Sequence, residues 1–473
     1  MLQTFVNAWK VADIRKKMLF TILIVFIFRI GSAIPVPFTT IADTGVLGDG
    51  SAAFMNAENS FLSYLNMMTG DAFNYGTIFA MSITPYINSS IIMQLLAVAI
   101  PALERLQKEG EEGRKKIAAI TRFVTIGLGL LQSTAYYFYL RSGGMMGREF
   151  LTPTDNLAEE IFQAFVIILC FTAGTALIMW LGEQINDKGI GNGISIILFA
   201  GIVSRIPSLL SSLYNPDPRL GYLGKGGAYI PIVIIVGFVL ILMIAFIVWM
   251  DNSERRIPVQ YAKRVVGRKM YGGQSTHIPI KVNMSGVMPV IFASSILSLP
   301  PTIQMFINAE TIEKNGFLKG FFEIFGMNHW AYSIIYFVLI LGFAYFYASI
   351  QYNPIEMSKN IRDNGGSIPG IRPGEPTSRY IGKILSRITL LGALLLSVVA
   401  LFPIIYSQVC EFILQNFTQF AVAESEISVT NPEPTFTVSL GGTSIIILVG
   451  VALETVKQLE SQMMMRHYKG FLD

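Results

Sequence analysis

Charge is scarce in this chain, and so are cysteine and histidine. Only 14% of its 473 residues are Asp, Glu, Lys or Arg, against about 25% in ordinary soluble domains. Two cysteines, Cys170 and Cys410, lie in or at the edge of apolar runs. That excludes a disulfide framework and a cysteine-based zinc site. His277, His329 and His467 are scattered outside the apolar cores. There is no HExxH and no GxSxG, and no span holds paired carboxylates; Glu183, Asp187 and Glu411 sit at span edges. The glycine-rich GIGNGIS (Gly189–Ser195) lacks the Lys-Ser/Thr of a phosphate loop, so its glycines are expected to shape a tight turn and a helix start. Hydrolytic, metal-dependent and nucleotide-driven chemistry are therefore not expected, and no cofactor is implied.

Apolar sequence is abundant: 52% of the residues are hydrophobic. A crossing helix needs about 20 mostly apolar residues. Ten runs qualify: 18–37, 77–100, 118–140, 158–181, 190–210, 229–250, 285–306, 330–351, 384–409 and 439–456. Residues 1–17 lack the apolar core and cleavage site of a signal peptide. There, Leu2, Phe5, Val6 and Trp9 share one helical face, with Lys10, Arg15, Lys16 and Lys17 close by. This suits a helix lying on the membrane surface or a simple basic N-terminus.

Charge distribution sets the direction. With the N-terminus cytoplasmic, 27 Lys and Arg fall in or beside inner segments and 7 on the outer side, while Arg29 is embedded in the first span. The asymmetry follows the positive-inside rule and predicts both ends of the chain in the cytoplasm. Ten spans divide into five and five, so the second half would be inverted relative to the first, with a pathway between them. The boundaries are an amphipathic N-terminal segment 1–17, a first half 18–210, a section 211–284 with span six and a long basic loop, a section 285–465 with a second loop 352–383, and a tail 466–473. Phe61–Thr69 (FLSYLNMMT) is apolar but too short to cross. It predicts either a re-entrant helix or a stub on the outer surface.

Span two raises the functional question. It carries Asn88, Ser89, Ser90 and Gln94, which lipid cannot satisfy. They can bind a neighbouring helix or line a pathway. Ile83 and Ile87 are four residues apart, and Ile194 and Leu198 repeat the spacing after GIGNGIS. A coupled solute transporter would place acids inside the spans, and an intramembrane enzyme would place a nucleophile and base there. Neither pattern is present. Two long cytoplasmic loops, with YAKRVVGRKM in 251–284 and SIPGIRPGEPTSRY in 352–383, have the basic, turn-rich character of docking arms.

The motifs ITPYINSSIIMQLL, KEGEEGRKK, MWLGEQINDKGIGNGISII, KVNMSGVMPVIFASSI, IPGIRPGEPTSRYI and LGGTSIII occur in one order along the chain, beginning after FRIGSAIPVP. In these the chain resembles the SecY family of protein-conducting channels. The resemblance implies an all-α polytopic membrane protein: ten transmembrane helices in two pseudo-symmetric inverted halves around a central pore. It implies a pore ring of Ile83, Ile87, Ile194, Leu198, Ile291 and Ile447. It implies a short re-entrant plug at 61–70, with Phe61, Leu62, Tyr64, Leu65, Met67, Met68 and Gly70. A lateral gate would form between spans two and seven, with polar positions Asn88, Ser89, Gln94 and Asn283. Lys263, Arg264, Arg268, Lys269 and Arg372 would dock a motor. The implied partners are the small subunits SecE and SecG, the ATPase SecA, the ribosome, signal-bearing preproteins, nascent membrane proteins and membrane lipids. The implied location is the bacterial plasma membrane. Two outer inserts, 38–60 and an acidic 411–438, depart from the family pattern and have no assigned role.

Overall fold

Proline and glycine set where the apolar runs begin and break as helices. The computed structural model describes residues 6, 8–39, 69–70, 72–73, 75–141, 151–152, 156–207, 230–261, 264–266, 269–271, 275–304, 307, 312, 314–326, 329–421 and 442–469. Helix α1 (Ala12–Gly31) is followed by α2 (Thr84–Ala99). Pro85 sits in the first turn of α2, where its missing N–H costs no helical bond. The second run, expected to be helical from 77, is instead turns up to Ile83, with Ser82 at φ 48°. At its other end Pro101 opens α3 (Pro101–Lys108), and the two helices meet at a bend of 105°.

The next helices are α4 (Glu111–Arg141), α5 (Leu157–Lys188), α6 (Gly193–Ser204) and α7 (Ile230–Asn252). After the strands described below come α8 (Met288–Leu297), α9 (Leu299–Gln304), α10 (Gly316–Ile324), α11 (Trp330–Gln351), α12 (Pro354–Asp363), α13 (Glu375–Ala421) and α14 (Gly442–Lys469). Among the described residues, four helical stretches are long and apolar enough to cross a membrane: Glu111–Arg141, Leu157–Lys188, Trp330–Asp363 and Glu375–Ile405. The bent α2–α3 pair makes a fifth if it counts as one span. The count of ten rests on the hydropathy pattern. Span nine, expected over 384–409, is part of a 47-residue helix that continues through Pro403.

The two long basic loops contain strands that the helical pattern did not predict. β1 (Glu254–Tyr261) pairs antiparallel with β4 (Ser275–Lys281), in register from Glu254↔Lys281 to Gln260↔Ser275. β5 (Gly366–Ser367), from the second loop, pairs with the other edge of β1 through Gln260↔Ser367 and Tyr261↔Gly366. β2 (Arg264–Val266) and β3 (Lys269–Tyr271) make a separate ribbon within the first loop. Beneath the three-stranded sheet, Ile257, Val259 and Ile280 share an apolar cluster with Ile361, Ile368, Ile381 and Leu385. The two expected arms are thus one body with its own small core.

The main core joins residues of α1, α2, α5, α6, α7, α8, α11, α13 and α14. Small residues allow the tightest approaches. A Cβ on Gly193 would overlap the Gly182 carbonyl of α5, and one on Gly174 would overlap the Ile78 carbonyl. Gly193→Ala is therefore expected to destabilise the α5–α6 pair by about 1–3 kcal/mol, the usual range for overpacking. A lower thermal midpoint in detergent would show it; an unchanged midpoint would mean that the backbones part without cost.

Candidate functional site

Four elements deliver the aliphatic residues singled out in the sequence. Ile83 caps the N-terminus of α2 and Ile87 lies one turn further on. The GIGNGIS stretch makes the expected turn. Gly191 adopts φ +86°, a conformation that side chains rarely take. Asn186 Oδ1 then accepts from the Gly193 amide at 2.8 Å, and Asn192 Oδ1 from the Ile194 amide at 3.2 Å. These bonds satisfy two of the free amides at the start of α6 and fix the position of Ile194 and Leu198. Ile291 lies in α8, which opens with Pro289 in its first turn. Ile447 comes from the first half of α14 and is fully buried. Ile83, Ile87, Leu198, Ile291 and Ile447 are all buried members of one apolar cluster, with Ile194 packed against it.

A seam runs beside this cluster, where α2 packs directly on α8. Its polar groups are partnered in different ways. Ser89 Oγ donates to the Pro85 carbonyl within α2 at 2.8 Å. Asn88 is buried. Gln94 donates to Ser90 Oγ at 3.1 Å and accepts from the Tyr347 hydroxyl at 2.7 Å. Tyr347 lies on α11, and its ring sits 5.1 Å from that of Phe292 on α8. This one side chain therefore ties α2, α8 and α11 together. Sequence reasoning missed it, although a tyrosine within an apolar span needs a partner for its hydroxyl.

Asn283 lies away from these bonds. It sits in the linker before α8, and its amide donates to Asp251 Oδ1 on α7 at 3.3 Å. Asp251 Oδ2 accepts from Lys457 Nζ of α14 at 3.1 Å. With the Val282 amide donating to the Ser253 carbonyl at 2.9 Å, the base of the first loop is stitched to α7 and α14.

Arg29, expected within span one, lies in the last turn of α1 and has a partner. Arg29 Nη1 donates to the Gly70 carbonyl at 3.3 Å. Gly70 adopts φ +66°, and a Cβ there would collide with Gly201 and Ser204 of α6. Phe61, Leu62, Tyr64, Leu65, Met67 and Met68 lie outside the described residues.

The expected docking residues divide in the same way. Lys263 and Arg268 lie outside the described residues, while Arg264 and Lys269 fall on β2 and β3. Arg372 is exposed on a turn flanked by Gly370 at φ +81° and Gly374 at φ +110°. The Arg372 carbonyl accepts from Thr377 Oγ1 at 2.9 Å, and the Gly374 carbonyl from Ser358 Oγ at 2.8 Å. The turn is held by its backbone, leaving the guanidinium toward solvent.

The fold is that of solved protein-conducting channels. A structure described as that of a protein conducting channel superposes with a TM-score of 0.58 at 16% identity, covering 94% of this chain and 92% of that one. A SecY structure, whose plug domain is described as stabilising the closed state, gives 0.55 at 18% identity over 94% and 92%. Sec61 in the canine ribosome-channel complex gives 0.54 at 17% identity over the same shares. At the level of sequence, the SecY family model matches residues 77–456. Relatives named protein translocase subunit SecY align over the whole of both chains: 41% identical over 472 residues in Streptomyces coelicolor, 39% over 478 in Mycobacterium bovis and 38% over 475 in Corynebacterium glutamicum. This chain belongs to the SecY family.

Proposed function

We propose that the chain is the channel through which secretory polypeptides cross a bacterial plasma membrane and from which membrane segments leave sideways into lipid. The observation that carries this is that six aliphatic residues from four separate elements all belong to or pack against the main apolar core that includes both helices of the α2–α8 seam. A narrow apolar constriction dewets and blocks ions, yet offers a passing chain no strong hydrogen bonds. At rest the ring is a seal; spread apart, it is a gasket around the polypeptide.

The seam supplies the second exit. A segment of about 20 apolar residues can span the bilayer, and each Å² of apolar surface moved from water to lipid gains about 25 cal/mol. A polar segment has no such gain and continues across. Ten spans in two inverted halves, with both termini in the cytoplasm, supply the frame, and Phe61–Gly70 plugs the ring from the outer side. Arg29 holds the C-terminal end of that plug through Gly70.

No fuel is used by the channel itself. SecA or a translating ribosome pushes the substrate from the cytoplasmic side, docking on Lys263, Arg264, Arg268, Lys269 and Arg372, and SecE and SecG complete the membrane complex. Vesicles carrying this chain with SecE and SecG should protect a preprotein from added protease when SecA and ATP are present. No protection, with the complex demonstrably assembled, would overturn the proposal.

The Gln94–Tyr347 bond gives a finer test. A net hydrogen bond contributes about 1 kcal/mol, which is roughly a 5-fold change in an equilibrium. Tyr347→Phe removes that bond while leaving the ring against Phe292. Export of a substrate with a weakened signal should rise about that much, since the closed seam loses a bond that the open seam does not make. Unchanged export would mean that the bond persists in both states or is replaced.

A further inference from the structure

The short helix α10 divides into three faces, and only two are accounted for by protein and water. At 3.6 residues per turn, Leu318 and Phe322 point one way. Phe322 is buried, Leu318 is half-buried, and α10 packs on α9 and α11. Lys319 and Glu323 form a second face, paired at 3.9 Å and exposed. The third face is Phe317, Phe321 and Ile324, spaced i, i+4 and i+7. Phe317 is 84% exposed, and Phe321 and Ile324 are exposed as well. Gly316 and Gly320 have nothing within contact of a Cβ, so this side of the helix is open.

We propose that this third face lies in the outer lipid–water interface, making α10 a membrane-surface float attached to the gate side of the channel. The occupant is a lipid surface, argued from what flanks the helix. On one side, Leu299 and Ile303 of the α8–α9 run are exposed; on the other, Trp330, Ile334 and Val338 are exposed along α11. Both runs belong to the expected spans seven and eight, and their apolar surfaces require lipid. Trp330, the first residue of α11 and 67% exposed, is the residue type that settles at the headgroup level. A helix with an apolar stripe and a charged face, connecting two crossings at that level, lies in the plane of the interface. The Lys319 stem can run along the apolar boundary with its ammonium toward headgroups and water. The consequence is mechanical. Because α10 packs on α9, which in turn contacts α8, a tilt of the seam helix is expected to shift the aromatic stripe within the outer leaflet.

The inference rests on the membrane-channel reading, and its test separates the two. Trp9, Trp180, Trp249 and Trp330 are changed to Phe, as is any tryptophan of the partner subunits, and Phe317→Trp supplies the single tryptophan, excited selectively over the tyrosines. The full complex is placed in vesicles whose lipids carry bromine on the acyl chain close to the headgroup. Emission is expected to fall at least ~2-fold relative to unbrominated lipid, as for an interfacial helix, with little quenching by external iodide. Quenching by iodide but not by bromolipid would put the face in water; quenching by neither would put it under another protein. Either result overturns the proposal. If the same vesicles still translocate a preprotein, the channel reading survives that failure. Should the tryptophan-depleted chain not assemble, a nitroxide on Phe317→Cys in a Cys170→Ser, Cys410→Ser chain decides instead. Relaxation dominated by oxygen supports the lipid face, and relaxation dominated by a water-soluble nickel complex rejects it.

Discussion

Replacing Ile447 with asparagine is expected to let the channel export substrates with defective signal sequences, by about 10-fold over the parent. Ile447 has no exposed surface and sits inside the cluster that contains Ile83, Ile87, Leu198 and Ile291. An amide buried there without a partner costs about 1–3 kcal/mol. In the proposed ring the cost falls on the sealed state alone, because a ring spread around a polypeptide would be wet and would hydrate the amide. A differential of that size shifts a closed–open equilibrium by roughly 5- to 150-fold, and a signal sequence then has less work to do. Ile447→Val separates polarity from volume. It removes one methylene, keeps the site apolar and should leave selectivity nearly unchanged. Export of a signal-defective reporter measures both. Normal selectivity in an assembled Ile447→Asn channel would mean that this residue is ordinary core and does not seal.

Arg372→Glu is expected to reduce motor-driven translocation by an order of magnitude or more. The backbone around Arg372 is fixed by Gly370, Gly374 and the Thr377 bond to the Arg372 carbonyl. None of these uses the guanidinium, so the charge can be reversed without disturbing the turn. If the proposed docking surface attracts an acidic partner, the reversed charge repels it, and a charge pair buried on docking commonly costs about 2–5 kcal/mol when broken. Arg372→Lys keeps the charge but loses the planar fork, so an intermediate defect is expected. SecA-dependent transport into vesicles reads both variants. Near-normal transport by Arg372→Glu would remove this residue from the docking surface.

Much of this was legible because the information is local or carried by motifs. A run of apolar residues announces a helix wherever it sits, although Pro85 and Pro289 open their helices inside runs expected from 77 and 285, and Pro101 opens a further short helix. GIGNGIS announced a turn and a helix start, and Gly191 and Asn192 make both. The motif match named six aliphatic residues separated by up to hundreds of positions; five are buried in the main apolar core and Ile194 packs against it.

What escaped was pairing over long separations. β1 and β5 come from different loops, and two residues of β5 carry no periodicity of their own. The Gln94–Tyr347 bond spans 253 positions; nothing near either residue names the other. Asn283, expected at the seam, bonds Asp251, because the chain enters α8 only at Met288 and leaves Asn283 at the base of the arm. Hydropathy also misplaced helix ends. It stops where residues turn polar, whereas α13 begins at Glu375, before its apolar part, with Glu375 paired to Arg379 at 2.8 Å.

The central claim is that the apolar cluster is the conduit, and a crosslink tests it directly. Cys170 and Cys410 are changed to Ser, Ile87 to Cys, and a secretory substrate with a single Cys is arrested midway across the membrane. The account predicts a disulfide between the substrate and position 87. It predicts none when the channel cysteine is moved to the exposed position Phe165 on α5. An engaged substrate that never crosslinks to position 87, or that reacts equally at 165, would contradict the account and place the polypeptide elsewhere.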